Sequence, residues 1–399
     1  MATDYISKIE GHGRIEVDFL KGKAELHIEE GERLFEGIVV GRRYEDVHFI
    51  TPRICGVCPT AHNLATIRAI EDAFKIRATP TAVALRKAML SAQIVQSHTL
   101  HLFFLALPDF LGVDSGADLM KKNPKLLKKI LAVKKMCDAV LRGIGGREVH
   151  PTTTIVGGFT QFPEFHRAEE LIDLARETIP IAEELMEVAK KAIGDFAPVH
   201  RKTTYLALED YYGDSFVETS ERARFDPKKY QENISETVKL YSSAKFGTHK
   251  GRGFLVGALA RRILAGKMQP TTSIFDNNIA QGEEIFEFTE EIEKQLALAV
   301  STGLRKDDWS VPVEPRESFG VGAVEAPRGT LYNKLWFDSG GICTKADIVT
   351  PTAQNLTNIE DDANALLEQN RGRKTEADLK RLLEMLVRAY DPCITCSVH

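Results

Sequence analysis

Two C-x-x-C pairs constrain this chain more than any other feature. Cys55 and Cys58 lie in RICGVCPTAH, and Cys393 and Cys396 lie in DPCITCSVH, with 338 positions between Cys55 and Cys393. Four thiolates gather a soft metal ion, and four sulfurs suggest zinc or an iron–sulfur centre first. Spacing alone also leaves redox dithiol chemistry open. If the pairs share a site, the fold must bring the beginning and the end of the chain together in its interior. A structural zinc usually clips a short local loop, and a core built from 399 residues has less need of such a staple. Gly56 inside the first pair and Pro392 before the second shape tight turns that let backbone amides approach the sulfurs. The other two cysteines, Cys137 and Cys343, have no C-x-x-C partner and read as ordinary buried thiols. Six cysteines in a chain this long are too sparse for a disulfide scaffold.

The charge balance excludes one class of function. A formal net charge of −5 argues against a nucleic-acid binder driven by bulk charge. The local basic run KKNPKLLKK at 121–129 reads as a solvated helix end. The N-terminal stretch MATDYISKIEGHGRIEVDF is polar, without the apolar run of a signal peptide. The most apolar helix candidate, 94–107, carries His98 and His101 and is too short to span a bilayer. The expected setting is a reducing compartment, with no direct membrane span.

The hydrophobic pattern points to a mainly α protein with β elements (α+β): a large helical core with an N-terminal β region. GRIEVDFLKGKAELHIEE alternates apolar and polar residues around a glycine, as a hairpin does. CPTAHNLATIRAIEDAFKI takes helical spacing directly after the first cysteine pair. TAVALRKAMLSAQIVQSHTLHLFFLALPDFLG is the strongest helical signal and ends at a proline and a glycine. Amphipathic runs at 119–142 and in FPEFHRAEELIDLARETIPIAEELMEVAKKAI follow, separated by the Gly- and Thr-rich loop GGREVHPTTTIVGGF. EEIFEFTEEIEKQLALAVSTGL and EADLKRLLEMLVRAY are further helices, and residues 318–355 are rich in strands and turns. GRGFLVGALA has loosely spaced glycines and reads as a packing turn, not a dinucleotide fingerprint. No repeat or linker divides the chain, so one domain over 1–399 is expected.

RICGVCPTAH and DPCITCSVH resemble the two signature motifs of nickel–iron hydrogenase large subunits, R-x-C-G-x-C-x-x-x-H and D-P-C-x-x-C-x-x-H. The resemblance extends, in order, through KIEGHGRIEV (8–17), RLFEGIVVGR (33–42), QSHTLHLFF (96–104), GGREVHP (145–151), EAPRG (325–329) and PTAQNL (351–356). It implies a hydrogenase that cleaves dihydrogen heterolytically at a Ni–Fe centre whose iron carries carbon monoxide and cyanide. Cys55 and Cys393 would be terminal nickel ligands, while Cys58 and Cys396 would bridge to iron. Cys393 sulfur would be a first base and Glu10 the proton gate. Arg328 would stand over the open metal site, Pro327 beside the diatomic ligands and Asp391 next to Arg328. His62 would donate a hydrogen bond to a bridging sulfur. Glu36, His399 and the main-chain carbonyl of Leu356 would hold magnesium or a similar divalent ion. Ending at His399 resembles a mature form from which an extension has been cut.

The chain departs from the membrane-associated members of that family. Ser97 stands where they have an aspartate, Ala389–Tyr390 where they have Arg-Phe, and PTAQN replaces a tryptophan-containing version. These features resemble the cytoplasmic multimeric group coupled to nicotinamide, deazaflavin or ferredoxin. No cysteine set remains for an iron–sulfur cluster, and no flavin or dinucleotide motif is present. The resemblance therefore implies a small subunit bearing iron–sulfur clusters, and diaphorase-type flavin subunits beyond it. The competing readings are a zinc-stapled scaffold, a hydrogen sensor with the same site, and a quinone-reductase-like relative. The last has lost the four cysteines that this chain retains.

Overall fold

The computed structural model describes residues 2–399, with side chains from Tyr5 onward. Three antiparallel strands begin the chain: β1 (Ala2–Tyr5), β2 (Gly13–Asp18) and β3 (Lys23–Ile28), in the order β1-β2-β3. The alternation read in the sequence is realised, since Ile15, Val17, Ala24 and Leu26 are all buried.

The helix α1 (Pro59–Phe74) starts on the residue after Cys58, with proline in its first turn, where no backbone N–H is missed. Next comes α2 (Pro80–Leu100), capped by Thr79, whose side chain accepts from Ala82 N. The sequence suggests one continuous helix here to about residue 110, but His101–Ala106 widens into a π turn before Leu107–Phe110 resumes α geometry. His101 at that turn is anchored by Gln281 and by the carbonyl of Arg388, and such turns recur at functional positions. The basic run divides at Asn123: Lys121 and Lys122 end one helix, and Pro124 begins α3 (Pro124–Gly145). Most of its lysines are exposed.

Three long helices, α2, α4 (Phe165–Ile193) and α6 (Asp276–Ser301), pack together, with α3 against α2 and α4. Between α4 and α6 lie short strands and α5 (Ala258–Leu264). Residues 318–349 form an antiparallel sheet of β4 (Ser318–Ala326), β5 (Gly329–Phe337) and β6 (Cys343–Val349). The chain closes with α7 (Pro351–Asn370), α8 (Glu376–Ala389) and a short turn at Ile394–Ser397.

A close contact joins α1 to β4. Alternate glycines of β4, Gly320 and Gly322, press on the backbone of α1 at Ala65, Ala69 and Ala73. A Cβ at Gly322 would lie 2.0 Å from the Ala65 carbonyl oxygen, and one at Gly320 would lie 2.1 Å from that of Ala69. An alanine stripe at four-residue spacing meets a glycine stripe at two-residue spacing, so helix and strand touch backbone to backbone.

The core has two large apolar clusters. All four motif cysteines fall in one, while Ile394 and Val398 fall in the other with Leu356 and the β2–β3 residues. The C-terminal segment is thus wedged between them.

Candidate metal centre

The first cysteine pair is set by a tight 3-10 turn, Thr51–Ile54, which delivers Cys55 in extended geometry. The Cys55 sulfur then accepts from Val57 N at 3.3 Å and Cys58 N at 3.1 Å; a Cβ at Gly56 would meet nothing within 4 Å, so this approach does not depend on the glycine. The second pair follows a sharp reversal at Asp391, whose φ is +52°. Cys393 N donates to Thr352 Oγ1 at 3.0 Å, and Ile394 N donates to the Glu10 carbonyl at 3.0 Å.

These turns bring the four thiols together. Cys55 and Cys393 sulfurs are 3.4 Å apart, Cys58 and Cys396 sulfurs 3.7 Å, and all four lie within 4.8 Å of one another. None is in a disulfide, and all are buried. Metal–sulfur bonds of ~2.3 Å place two sulfurs on one ion about 3.3–4.6 Å apart, so the donor set fits a thiolate-bound soft metal. Charge within the cluster is uneven. Hydrogen bonding from Cys393 holds the Cys55 thiol well below its ordinary range, while the neighbouring sulfurs push Cys58 and Cys396 up. Four adjacent buried sulfurs cannot all ionise without a cation among them.

Polar groups ring the cluster. Glu10 Oε2 lies 3.0 Å from the Cys393 sulfur and accepts from Thr395 N at 3.2 Å; Thr395 Oγ1 bonds the other carboxylate oxygen. Burial and then the Cys393 sulfur push the Glu10 carboxyl up to about 7. Arg33 grips the same turn through the Thr395 and Ile54 carbonyls. His62, fully buried on α1, has Nε2 3.0 Å from the Cys396 sulfur, while its Nδ1 has no hydrogen-bond partner. Burial holds its pKa down at about 3, so the ring is neutral.

Arg328 lies at the β4–β5 turn and is buried. Its Nε donates to the Asp391 carbonyl at 2.5 Å, its Nη2 to Asp391 Oδ1 at 2.7 Å and its Nη1 to Ser97 Oγ at 3.2 Å. Burial alone would lower its pKa, but Asp391 and the cysteine sulfurs outweigh it, so the guanidinium stays charged. Ser97, where the sequence departs from the membrane-associated pattern, supplies a neutral acceptor. Pro327 is buried beside Arg328.

A second cluster forms at the chain end. His399 Nδ1 faces the Cys396 carbonyl at 3.0 Å and Nε2 faces the Ile348 carbonyl at 2.8 Å, while Glu36 Oε1 accepts from Ile348 N at 2.7 Å. Burial lowers the His399 pKa, and a neutral imidazole donates from only one nitrogen. The other presents a lone pair to a carbonyl oxygen, next to a carboxylate, a donor set that a cation would fit. Leu356, whose carbonyl is expected here from the sequence, is a fully buried residue inside α7. The carbonyl that His399 Nε2 faces is that of Ile348. Cys137 and Cys343 stand outside the four-thiol cluster, each pushed up by burial.

Several residues in this environment carry no signal of their own in the sequence: Thr352, Thr395, Arg33, Arg261, Asn277, Gln281 and Glu284. The last three follow helical spacing on α6, the one pattern that could have exposed them.

A family model described as nickel-dependent hydrogenase matches residues 33–144 and 276–399, which include all four clustered cysteines. The chain belongs to this family. Sulfhydrogenase 1 subunit alpha of Pyrococcus furiosus is 35% identical to it over 427 residues, covering 100% of this chain and 97% of that protein. The beta subunit of the NAD-reducing hydrogenase HoxS of Cupriavidus necator is 27% identical, covering 100% and 94%. Among solved structures, an NAD+-reducing [NiFe]-hydrogenase in the H2-reduced state superposes with a TM-score of 0.89 at 25% identity, over 100% of this chain and 99% of that one. The reduced Ni-Fe-Se hydrogenase of Desulfomicrobium baculatum shares the fold, with a TM-score of 0.81 at 23% identity. The mixed helical and stranded architecture is therefore that of nickel-dependent hydrogenase large subunits. Among the described residues, no helix is long and apolar enough to cross a membrane.

Proposed function

We propose that this chain is the catalytic large subunit of a nickel–iron hydrogenase that cleaves and forms dihydrogen reversibly. The observation that carries the reading is the buried four-thiol cluster with Glu10 on one side and the Arg328–Asp391 pair on another. Cys55 and Cys393 would hold nickel, and Cys58 and Cys396 would hold nickel and iron together, with carbon monoxide and cyanide on the iron. When bound, this pair of metals supplies the redox and Lewis-acid chemistry for heterolytic cleavage.

The protein's own groups move and confine the proton. The Cys393 sulfur and Glu10 Oε2, 3.0 Å apart, form a relay whose carboxyl is tuned close to neutral pH, where a proton is both accepted and released. Thr395 fixes the carboxylate orientation through its N–H and hydroxyl. Arg328 keeps a fixed positive charge facing the thiols, a preorganised electrostatic element in a water-poor pocket. His62 Nε2–H donates to the Cys396 sulfur and lowers its electron density. Pro327 shapes the wall beside Arg328. Glu36, His399 and the Ile348 carbonyl would hold magnesium or a similar ion and pin the chain end beside the centre.

Four of the six cysteines are committed to the cluster, so electrons leave through another subunit. The proposed partners are a small subunit bearing iron–sulfur clusters and, beyond it, diaphorase-type subunits. The assembly would work as a single-domain large subunit in the cytoplasm, with NAD(P) or ferredoxin as final carrier. The test is infrared spectroscopy with metal analysis on the purified complex. Carbon monoxide and cyanide stretches with equimolar nickel and iron are expected. Zinc alone, in protein produced with the maturation machinery, would overturn the reading.

A further inference from the structure

Arg328 is held by more than Asp391. Arg261, one turn into α5, is buried, and each of its five N–H groups meets an acceptor. Nε and Nη2 fork onto Glu284 at 2.7 and 2.6 Å. Nη1 reaches Glu325 Oε2 at 2.7 Å and the Ala326 carbonyl at 3.0 Å, and Nη2 also reaches the Pro327 carbonyl at 3.0 Å. The last two acceptors are the peptide groups immediately before Arg328. A guanidinium with every donor matched in fixed directions has no freedom left, so it acts as a template for whatever it binds.

The turn is clamped from a second direction by the same segment. Gly257, at φ +116°, sits where a Cβ would lie 3.0 Å from the Arg328 carbonyl oxygen, and a Cβ at Gly329 would lie 2.4 Å from Val256 Cγ2 and 3.0 Å from Gly257 N. The Gly257 backbone and the Val256 side chain therefore pack closely on backbone 328–329. The sequence GRGFLVGALARR, which has the look of a packing turn, supplies both the glycine that allows this approach and the arginine that reads the two carbonyls. It lies in the stretch between the two blocks matched by the family model.

The template is itself anchored to the other half of the pair. The α6 residues Asn277, Gln281 and Glu284 lie on one helix face at spacings of four and three. Glu284 holds Arg261. Gln281 Nε2 donates to Asp391 Oδ2 at 3.0 Å, and Asn277 Nδ2 donates to the Ala389 carbonyl at 2.8 Å. One rigid helix thus sets both Arg328, through Arg261, and Asp391.

We propose that Arg261 is a positioning residue for the hydrogenase reaction, fixing the aim of the Arg328 guanidinium through the Ala326 and Pro327 carbonyls. The proposal rests on the hydrogenase reading above. Sub-ångström aim matters because a misplaced group in an active site costs as much as 10²-fold in rate.

R261K retains the buried charge but replaces a five-donor fork with a three-donor point charge. In the purified complex it should lower H2-oxidation kcat at least tenfold with KM for H2 within twofold, at unchanged nickel and iron content. The infrared stretches of the metal-bound diatomic ligands should shift in the same direction as in R328K. A double-mutant cycle is the sharpest readout. If Arg261 acts through Arg328, R261K/R328K is no slower than R328K alone. Losses that multiply, or R261K bands and turnover matching wild type, overturn the proposal. If R261K does not accumulate as folded protein, E325Q removes one anchor of the fork and should give the same band shift with a smaller loss of rate; bands and rate unchanged in E325Q overturn the proposal equally. Wild-type complex lacking the infrared bands would instead overturn the hydrogenase reading, so the two failures are distinct.

Discussion

Gly322→Ala tests whether the helix–strand contact holds the centre in shape. The added methyl would lie 2.0 Å from the Ala65 carbonyl oxygen and 2.6 Å from Ala69 N, and both neighbours are backbone. Ordinary contact begins at 3.4 Å, so α1 and β4 must separate by about 1.4 Å. No side-chain rotation relieves this. Overpacking of this kind costs about 1–3 kcal/mol, which in a chain of this size is a melting-temperature loss of roughly 1–4 °C. The consequence at the site is larger than the cost in stability. Helix α1 starts just after Cys58 and carries His62, while β4 leads to Arg328, so the separation pulls the Cys58–Cys396 distance of 3.7 Å apart. The variant should therefore lose nickel on dialysis at a temperature where it remains folded. Differential scanning calorimetry and metal analysis read both effects. Gly37→Ala is the internal control, since a Cβ there meets nothing within 4 Å in a helical segment. It should leave stability unchanged or raise it by up to about 1 kcal/mol. A G322A protein that melts with wild type and keeps its metal would refute the argument.

Other outcomes follow from the same geometry. His48 is buried with its pKa held down at about 4 by desolvation, against 6.5 unfolded. The unfolded chain therefore takes up the proton first, and stability present above pH 6.5 is lost as pH falls toward 4, by roughly 3 kcal/mol from this group. His48→Phe should flatten that part of the pH–stability curve in urea titrations, and an unchanged slope would count against it. Thr352→Val strands the buried Cys393 N–H and should cost about 1–3 kcal/mol, read as a lower urea midpoint. Glu36→Gln should weaken retention of a divalent ion at the chain end, seen as faster magnesium loss to chelator with nickel content initially intact; equal loss rates would remove Glu36 from that role.

The parts of the site legible in the sequence are those whose chemistry sits in side chains at fixed short spacing. Cys55, Cys58, Cys393 and Cys396 announce a soft-metal site by themselves. Glu10, Arg328, Glu36 and His399 become visible only through the motifs around them, because a lone acid or base on a strand has no local signature. Main-chain carbonyls have no signature for a different reason: every residue offers one, so the sequence does not single out the Ile348 carbonyl that His399 faces. The sequence of helix α6 has helical spacing from Glu283 onward, but its first turns, DNNIAQG, carry asparagines and a glycine that favour loops. Tertiary contacts override that preference: Asn277 bonds Leu259 N and the Ala389 carbonyl, and Gly282 lets Ala189 of α4 approach closely. The π turn at His101 was likewise invisible, being fixed by partners on α6 and α8.

The cysteine pairs that meet at 3.4 Å are separated by 338 residues of chain. Closing a loop of that length costs about 5 kcal/mol in chain entropy before any contact rewards it. During synthesis the first pair must therefore wait, reduced and without its partners, until nearly all of the remaining chain has been made and packed. The centre cannot close until the chain as far as Cys396 has been made and packed, so metal delivery is timed by folding, and a slow or misfolded helical core would appear first as a metal-free protein.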